Sequence, residues 1–235
     1  MGVILQVNDI TKRYNDQAAI TGVAFDIYEG EVLGIIGPNG AGKTTLLECI
    51  AGLLPADKGT VLWHGRPLAI SQRKEAMFYM PDGIAPYAEH PVSKVIQFFA
   101  SVYRQPPDKP QTVIEAFGLP PVLEKKTGEL SKGYRRRLLL ALGLLVPHVL
   151  LVMDEPFDGL DLRQTKDIMA LLRAEAEKGR TFLLSIHQLT DAERVCDRFI
   201  LMSLGTVRGK GTMDELRGQA RINSGSLEDI FYALT

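Results

Sequence analysis

Cysteine is scarce: Cys49 and Cys196 are the only two, far apart and in no metal-binding or redox spacing. That argues against a disulfide scaffold or a zinc site, and the pair reads as reduced thiols of a cytosolic protein. Charge of one sign is not in excess either. Lys and Arg total 27 against 28 Asp and Glu, a net of −1, which offers no bulk attraction to nucleic acid or to a membrane surface. Long hydrophobic runs are missing. The longest goes only from Leu138 to Met153 and is broken by Pro147 and His148, short of the roughly 18 residues that mark a bilayer-spanning helix. It reads as a helix, a proline turn and a buried strand. If this protein works at a membrane, other chains do the spanning. The first residues carry no basic region or cleavage site and so do not read as a signal peptide. Val7 stands where a myristoylation pattern needs Ser or Thr. Repeats and low-complexity tracts are absent.

What is present is an ordinary globular composition: 235 residues, 46% hydrophobic and 23% charged, enough for a sizeable core. The densest signal lies at Val32–Leu47. A short apolar run, Val32 to Ile36, reads as a buried strand. A loop fitting G-x-x-x-x-G-K-[ST] follows, Gly37-Pro38-Asn39-Gly40-Ala41-Gly42-Lys43-Thr44, then Thr45 and helical apolar spacing. Glycines at 37, 40 and 42 let successive backbone N–H groups turn inward around phosphate oxygens. A helix opening at Lys43 aims its positive end at the same anion. Lys43 then reaches the β- and γ-phosphates, and the Thr44 hydroxyl ligates Mg²⁺. The blander alternative is a Gly-rich turn that binds nothing, but the flanking strand and helix are the context the motif requires.

A second constellation agrees with the first. Val149 to Met153 reads as a buried strand ending in Asp154-Glu155-Pro156. Ligands bind at the carboxyl ends of parallel strands, so Asp154 is placed to hold Mg²⁺ and Glu155 to act as general base on a water; the alternative is two solvated loop acids. Thr181 to Ser185 is another buried strand, with His187 just past its end. Alternation at Val3, Leu5 and Val7, an edge-strand pattern, and at Ala24 to Tyr28 suggests an antiparallel layer. Tyr14 falls between these runs, where an exposed ring can stack on an adenine face or simply pack. Thr60–Trp63 and Ala76–Met80 read as strands, Phe199–Met202 and Thr206–Val207 as a hairpin. Between about Ile84 and Val146 the texture is helical: Val92 to Tyr103, Thr112 to Phe117 and Pro121 to Lys126, with Gln105–Pro110 a loop. Ser131 is a natural N-cap for a long helix. Its run Arg135-Arg136-Arg137 fans out by about 100° per residue, so it forms no single nucleic-acid face. Leu162 to Lys178 and Ser226 to Leu234 read as amphipathic helices.

Together these residues resemble the ATP-binding subunits of ATP-binding-cassette transporters over essentially the whole chain. Gly37–Thr44 matches the Walker A loop and Val149–Glu155 Walker B with its glutamate. Leu130-Ser131-Lys132-Gly133-Tyr134 is similar to the family signature, Gly159-Leu160-Asp161 to the D-loop, His187 to the switch histidine and Tyr14 to the aromatic A-loop. The resemblance implies an α/β fold: a P-loop NTPase core with a mainly parallel sheet, an N-terminal antiparallel β layer and a helical insertion. It implies one domain over residues 1–235, with 1–83 and 147–235 as the core, 84–146 as the helical subdomain and 221–235 as a tail helix. It implies ATP hydrolysis with Glu155 and His187 catalytic. It implies that two copies pack head to tail, each ATP lying between Gly37–Thr44 of one copy and Ser131 and Gly133 of the other, with Tyr14, Thr45 and Asp161 also nucleotide-binding. The partners implied are transmembrane permease subunits and a second cassette chain, not nucleic acid, at the cytoplasmic face of the membrane.

Two departures stand out. Lys132 and Tyr134 replace the first Gly and the Gln of the signature, and Asp82 replaces the usual Gln of the Q-loop. A carboxylate there can still ligate Mg²⁺, and an acid at this position, like the tail Ser226–Phe231, resembles exporter-type subunits. A non-transport member of the family and a hydrolysis-poor regulatory cassette are the alternatives.

Overall fold

The computed structural model describes residues 2–235. Chain order is β1 (Val3–Tyr14), β2 (Gln17–Tyr28), β3 (Val32–Ile36), α1 (Lys43–Ala51), β4 (Lys58–Trp63), β5 (Arg66–Pro67), α2 (Arg73–Ala76) and β6 (Met77–Met80). Then come α3 (Val92–Val102), α4 (Lys109–Ala116), α5 (Lys132–Leu145), β7 (Leu150–Asp154), α6 (Leu162–Glu177), β8 (Thr181–Ile186) and α7 (Leu189–Val195). The chain closes with β9 (Arg198–Ser203), β10 (Thr206–Gly211), α8 (Met213–Ala220) and α9 (Leu227–Leu234).

Two sheets organise these elements. One is antiparallel, in the order β2-β1-β4-β5; the other has six strands in the order β10-β9-β3-β8-β7-β6. In the second, β6, β7, β8, β3 and β9 run parallel and only β10 is antiparallel. The α/β class with a mainly parallel sheet and an antiparallel layer is therefore as expected. The first strand differs. Val3–Val7 lies not at an edge but between β2 and β4. Both faces of its backbone are hydrogen-bonded, and the second partner comes from a segment far along the chain.

The central strands β3, β7 and β8 are buried throughout, as strands covered on both faces must be, while β6 and β9 also carry half-buried residues. Their side chains alternate between two cores. Leu33, Ile35, Leu150, Val152, Leu183 and Ile200 face the antiparallel layer and α1. Val32, Ile36, Leu151, Met153, Phe182 and Leu184 face the helices. Among the helices, α5 is anchored at both ends. Ser131 Oγ accepts from the Tyr134 N–H at 3.3 Å. At the other end the Arg180 guanidinium donates to the carbonyls of Gly143 (3.4 Å), Leu144 (3.1 Å) and Val146 (2.9 Å). Arg73 does the same for α1 through the carbonyls of Cys49 and Ile50. Both cations sit at the negative end of a helix.

Two local expectations shift. Pro121–Lys126 holds only a 3-10 turn, Pro120–Val122. The loop after Gln105 ends early because Pro110 sits in the first turn of α4, where a missing N–H costs nothing. No helix among the described residues is long and apolar enough to cross a membrane.

Candidate functional site

Parallel order sends the carboxyl ends of β3, β6, β7 and β8 to one edge of the sheet, and the candidate residues gather there. The loop after β3 is wedged between β2 and β9. A β-carbon on Gly37 would collide with the Met202 carbonyl, and one on Gly42 would lie 2.5 Å from Ile20 Cγ2 and 2.7 Å from the Ala19 carbonyl. Gly42 is also at φ +96, where L side chains are strained. It stands at the N-cap of α1, which has no side-chain cap. The first-turn N–H groups of a nine-residue helix are thus left for a ligand anion.

Lys43 folds back over this loop. Its ammonium donates to the carbonyls of Gly37 (2.8 Å) and Pro38 (3.3 Å) and lies 3.9 Å from Glu155 Oε1. Burial pushes its pKa down, while Glu155 and Asp154 pull it back up. The Thr44 hydroxyl donates to Asp154 Oδ2 at 2.7 Å. Asp154, 1% exposed, also accepts from the Ser185 hydroxyl. Ser185 Oγ in turn accepts from the Glu155 N–H at 2.9 Å. Glu155 itself has φ +48, a sparsely populated region for a residue with a side chain and one that clusters at working sites. His187 Nδ1 lies 3.4 Å from Glu155 Oε2. Thr44 and Asp154 offer a hydroxyl and a carboxylate side by side, hard oxygen donors that fit Mg²⁺, which takes few protein ligands and shares the rest with phosphate and water.

An open cleft of about 600 Å³ lies over this edge, lined by Tyr14, Gly40, Lys43, Thr44, Glu155 and Leu204 among others. Asn39, Gly42 and Thr45 line it too. Pro38 is exposed beside them, while Ala41 is buried. Tyr14 closes the β1–β2 hairpin opposite Gln17 and is 48% exposed. Ser131 and Gly133 stand away from this cleft. Gly133 packs on the Gly159 carbonyl and Gln164, and Asp161 caps α6 through the Gln164 N–H at 2.8 Å. Asp161 lines a neighbouring hollow of about 480 Å³ that also holds His187 and shares Glu155 with the first. Asp82 departs from expectation. Its carboxylate is not turned to the Thr44–Asp154 pair; Oδ1 accepts from Arg136 Nη2 at 2.5 Å. A buried guanidinium thus takes one oxygen of the Asp82 carboxylate and leaves the other free. The three arginines do fan out. Arg136 is buried, Arg137 lies over the Tyr134 ring at 4.1 Å, and Arg135 is half-buried.

Sequence reasoning missed four residues in and beside the site. Ser185 had a signal, a hydroxyl near the carboxyl end of a strand whose preceding residues, Phe182–Leu184, are apolar. Leu204 and Gly205, both at positive φ, form a tight β9–β10 turn of the I′ pattern that walls the cleft, but nothing local tied that turn to the phosphate loop. Arg136 was hidden in a basic run.

Comparison with known proteins points the same way. Residues 20–158 match the family described as ABC transporter. The chain is 33% identical over 92% of its length to the probable multidrug ABC transporter ATP-binding protein YbhF of Escherichia coli (strain K12), of which it spans 38%. It is 29% identical to the ABC-type transporter ATP-binding protein EcsA of Bacillus subtilis (strain 168), covering 99% of this chain and 96% of that one. A solved structure described as an ATP binding subunit of an ABC transporter superimposes with a TM-score of 0.89 at 29% identity, covering 98% of this chain and 99% of the other. A phosphate loop beneath an open cleft, an acidic pair and a histidine at the same sheet edge, and this breadth of likeness leave one assignment: the chain belongs to the ABC transporter family, among its ATP-binding subunits.

Proposed function

We propose that the chain hydrolyses ATP and that this drives a separate transmembrane permease on which it sits at the cytoplasmic face. The observation that carries the reading is the convergence of Lys43, Thr44, Asp154, Glu155 and His187 on one sheet edge, under a cleft fronted by Tyr14. Tyr14 stacks on the base. Gly37–Thr45 holds the phosphates through backbone N–H groups, and Lys43 leaves the carbonyls of Gly37 and Pro38 for phosphate oxygens. Thr44 and Asp154 would hold Mg²⁺, which would supply positive charge to the developing phosphate charge. Glu155 accepts the proton of the attacking water, and His187, beside it, orients that water and the γ-phosphate.

A second copy completes the site. Ser131, Gly133 and Asp161 lie outside their own chain's cleft, which supports their reading as contacts to the nucleotide of a head-to-tail partner. The N-terminus of α5, at Ser131, would bring a second positive helix end. On this reading residues 1–83 and 147–235 are the core, 84–146 the part that receives the permease, and 221–235 the tail. Export is the direction favoured by the acid at position 82, by the tail helix and by the multidrug description of YbhF.

The test is Glu155→Gln. Without its base the variant keeps ATP affinity, loses at least about a hundredfold in turnover and elutes as a dimer only when MgATP is present. Unchanged hydrolysis would remove Glu155 from its role, and a monomer at saturating MgATP would remove the two-copy site.

A further inference from the structure

Arg136 is a guanidinium buried beside the site, and it ties its own helix to two other segments. It stands on α5, is 6% exposed, and donates through Nη2 to Asp82 Oδ1 (2.5 Å) and through Nε to the Asp158 carbonyl (3.2 Å). Its Nη1 is buried with no hydrogen-bond partner. One turn earlier, on the same helix face, Lys132 Nζ pairs with Asp158 Oδ2 at 2.8 Å. That bond holds the Asp158 carboxyl below its ordinary pKa, with Arg136 adding to the effect. Asp158 is therefore gripped at its carbonyl and its carboxylate by residues four apart. Its own N–H donates to the Glu155 carbonyl at 3.1 Å. An unbroken chain of contacts runs Asp82–Arg136–Asp158–Glu155.

We propose that Arg136 is a positioning residue for hydrolysis: it fixes the turn that presents Glu155, and Asp82 is the group that loads it. The proposal rests on the ATPase reading above. Three features make it more than packing. A buried guanidinium is expensive unless fully paired, yet here one donor is idle and Asp82 engages it with a single oxygen. The remaining carboxylate oxygen and the idle donor leave a second hydrogen bond to be made, so the pair has two available states, singly and doubly bonded. The loop of Asp82 follows β6 and the turn of Asp158 follows β7, adjacent strands, so Arg136 joins their ends where no backbone hydrogen bond of the sheet does. And Glu155, at φ +48, occupies a conformation that surrounding contacts must enforce. Displacement of Asp82 thus reaches Glu155 through one side chain.

The variants are Arg136→Gln, Asp82→Ala and the double, with amide hydrogen exchange of 155–161, ATPase kcat and KM, and binding of trinitrophenyl-ATP as readouts. Asp82 is half-exposed, so its variant tests the idea even if Arg136→Gln fails to fold. Each single change is expected to lower kcat about tenfold, to move the nucleotide dissociation constant less than about threefold, and to speed exchange of the Asp158 amide; the double variant matches the singles, the mark of one shared interaction. Multiplying effects, or unchanged Asp158 exchange in Asp82→Ala, would overturn the proposal. Because exchange needs no turnover, a wild type that failed to hydrolyse ATP would sink the ATPase reading while leaving the Asp82-to-Asp158 linkage tested on its own.

Discussion

Gly42 and Gly40 sit two residues apart in the same loop, both at positive φ, but they face different surroundings. A β-carbon at 42 meets Ile20 and Ala19, whereas one at 40 meets open space. Gly42→Ala is therefore expected to cost about 1–3 kcal/mol in stability, from strain plus overpacking, and to weaken ATP binding at least about tenfold. Gly40→Ala carries only the backbone penalty, about 1 kcal/mol. Urea midpoints and a nucleotide titration separate them, and equal losses would refute the steric argument. Glu31 gives a pH prediction. It is buried, and burial raises its carboxyl above 4.5 against the opposing pull of the Tyr28 N–H and Arg198. Between 4.5 and the raised value the folded chain holds a proton that the unfolded chain has released, so this group's contribution to stability falls as pH rises. The stability of wild type relative to Glu31→Gln should accordingly decline from pH 4.5 upward. A difference that grows with pH, in denaturation at matched ionic strength, would contradict the assigned direction.

Helix α5 carries the signature residues at its N-terminus and depends on a distant arginine at its other end. Arg180 comes 35 residues after Leu145 by number yet donates to three carbonyls there, which would otherwise be unsatisfied. Arg180→Met keeps the apolar stem and removes those bonds. The expected loss is about 2 kcal/mol with nucleotide affinity unchanged, since the contact lies at the far end of α5 from Ser131. Thermal melts with and without MgATP test this, and a loss of affinity larger than threefold would show that the cap also sets the position of Ser131. Such caps explain what the sequence could tell and what it could not. Strands β3, β7 and β8 were legible because burial on both faces leaves continuous apolar runs, and Gly37, Asp154 and His187 stand at or just past their carboxyl ends. Helix α7, with seven residues, gives too little periodicity to read, and α8, as long as the legible α4 and α9, buries only Leu216 and so shows no apolar face. The position of β1 escaped because its second partner, β4, lies beyond the whole phosphate loop. Likewise the partner of Asp82 was not legible; only the fold brings Arg136, 54 residues away, into reach of it.

At the scale of the molecule, the six-stranded sheet is shared by two cores, and that sharing determines how the chain unfolds. Leu183 and Leu184 are neighbours on β8, both fully buried, but Leu183 belongs to the core under the antiparallel layer and Leu184 to the core under the helices. Truncating either to Ala leaves a cavity costing about 2–5 kcal/mol, and because the side chains point to opposite faces the two losses should add. The informative question is whether each cavity is felt on the far side of the sheet. Trp63, the single tryptophan, packs against the first core, so its fluorescence reports that layer, while far-UV circular dichroism is dominated by the helices on the other. If the sheet couples the cores, Leu184→Ala moves the fluorescence midpoint in urea as far as the dichroism midpoint, and one cooperative transition describes both. Two separated transitions would mean that the helices unfold as an independent unit. A coupled sheet also has a functional consequence. The phosphate loop lies on the Trp63 side and α5 on the other, with Asp154, Glu155 and His187 at the edge between them. Nucleotide bound at that edge would then stabilise both layers together, and MgATP added to Glu155→Gln should raise the two midpoints by the same amount.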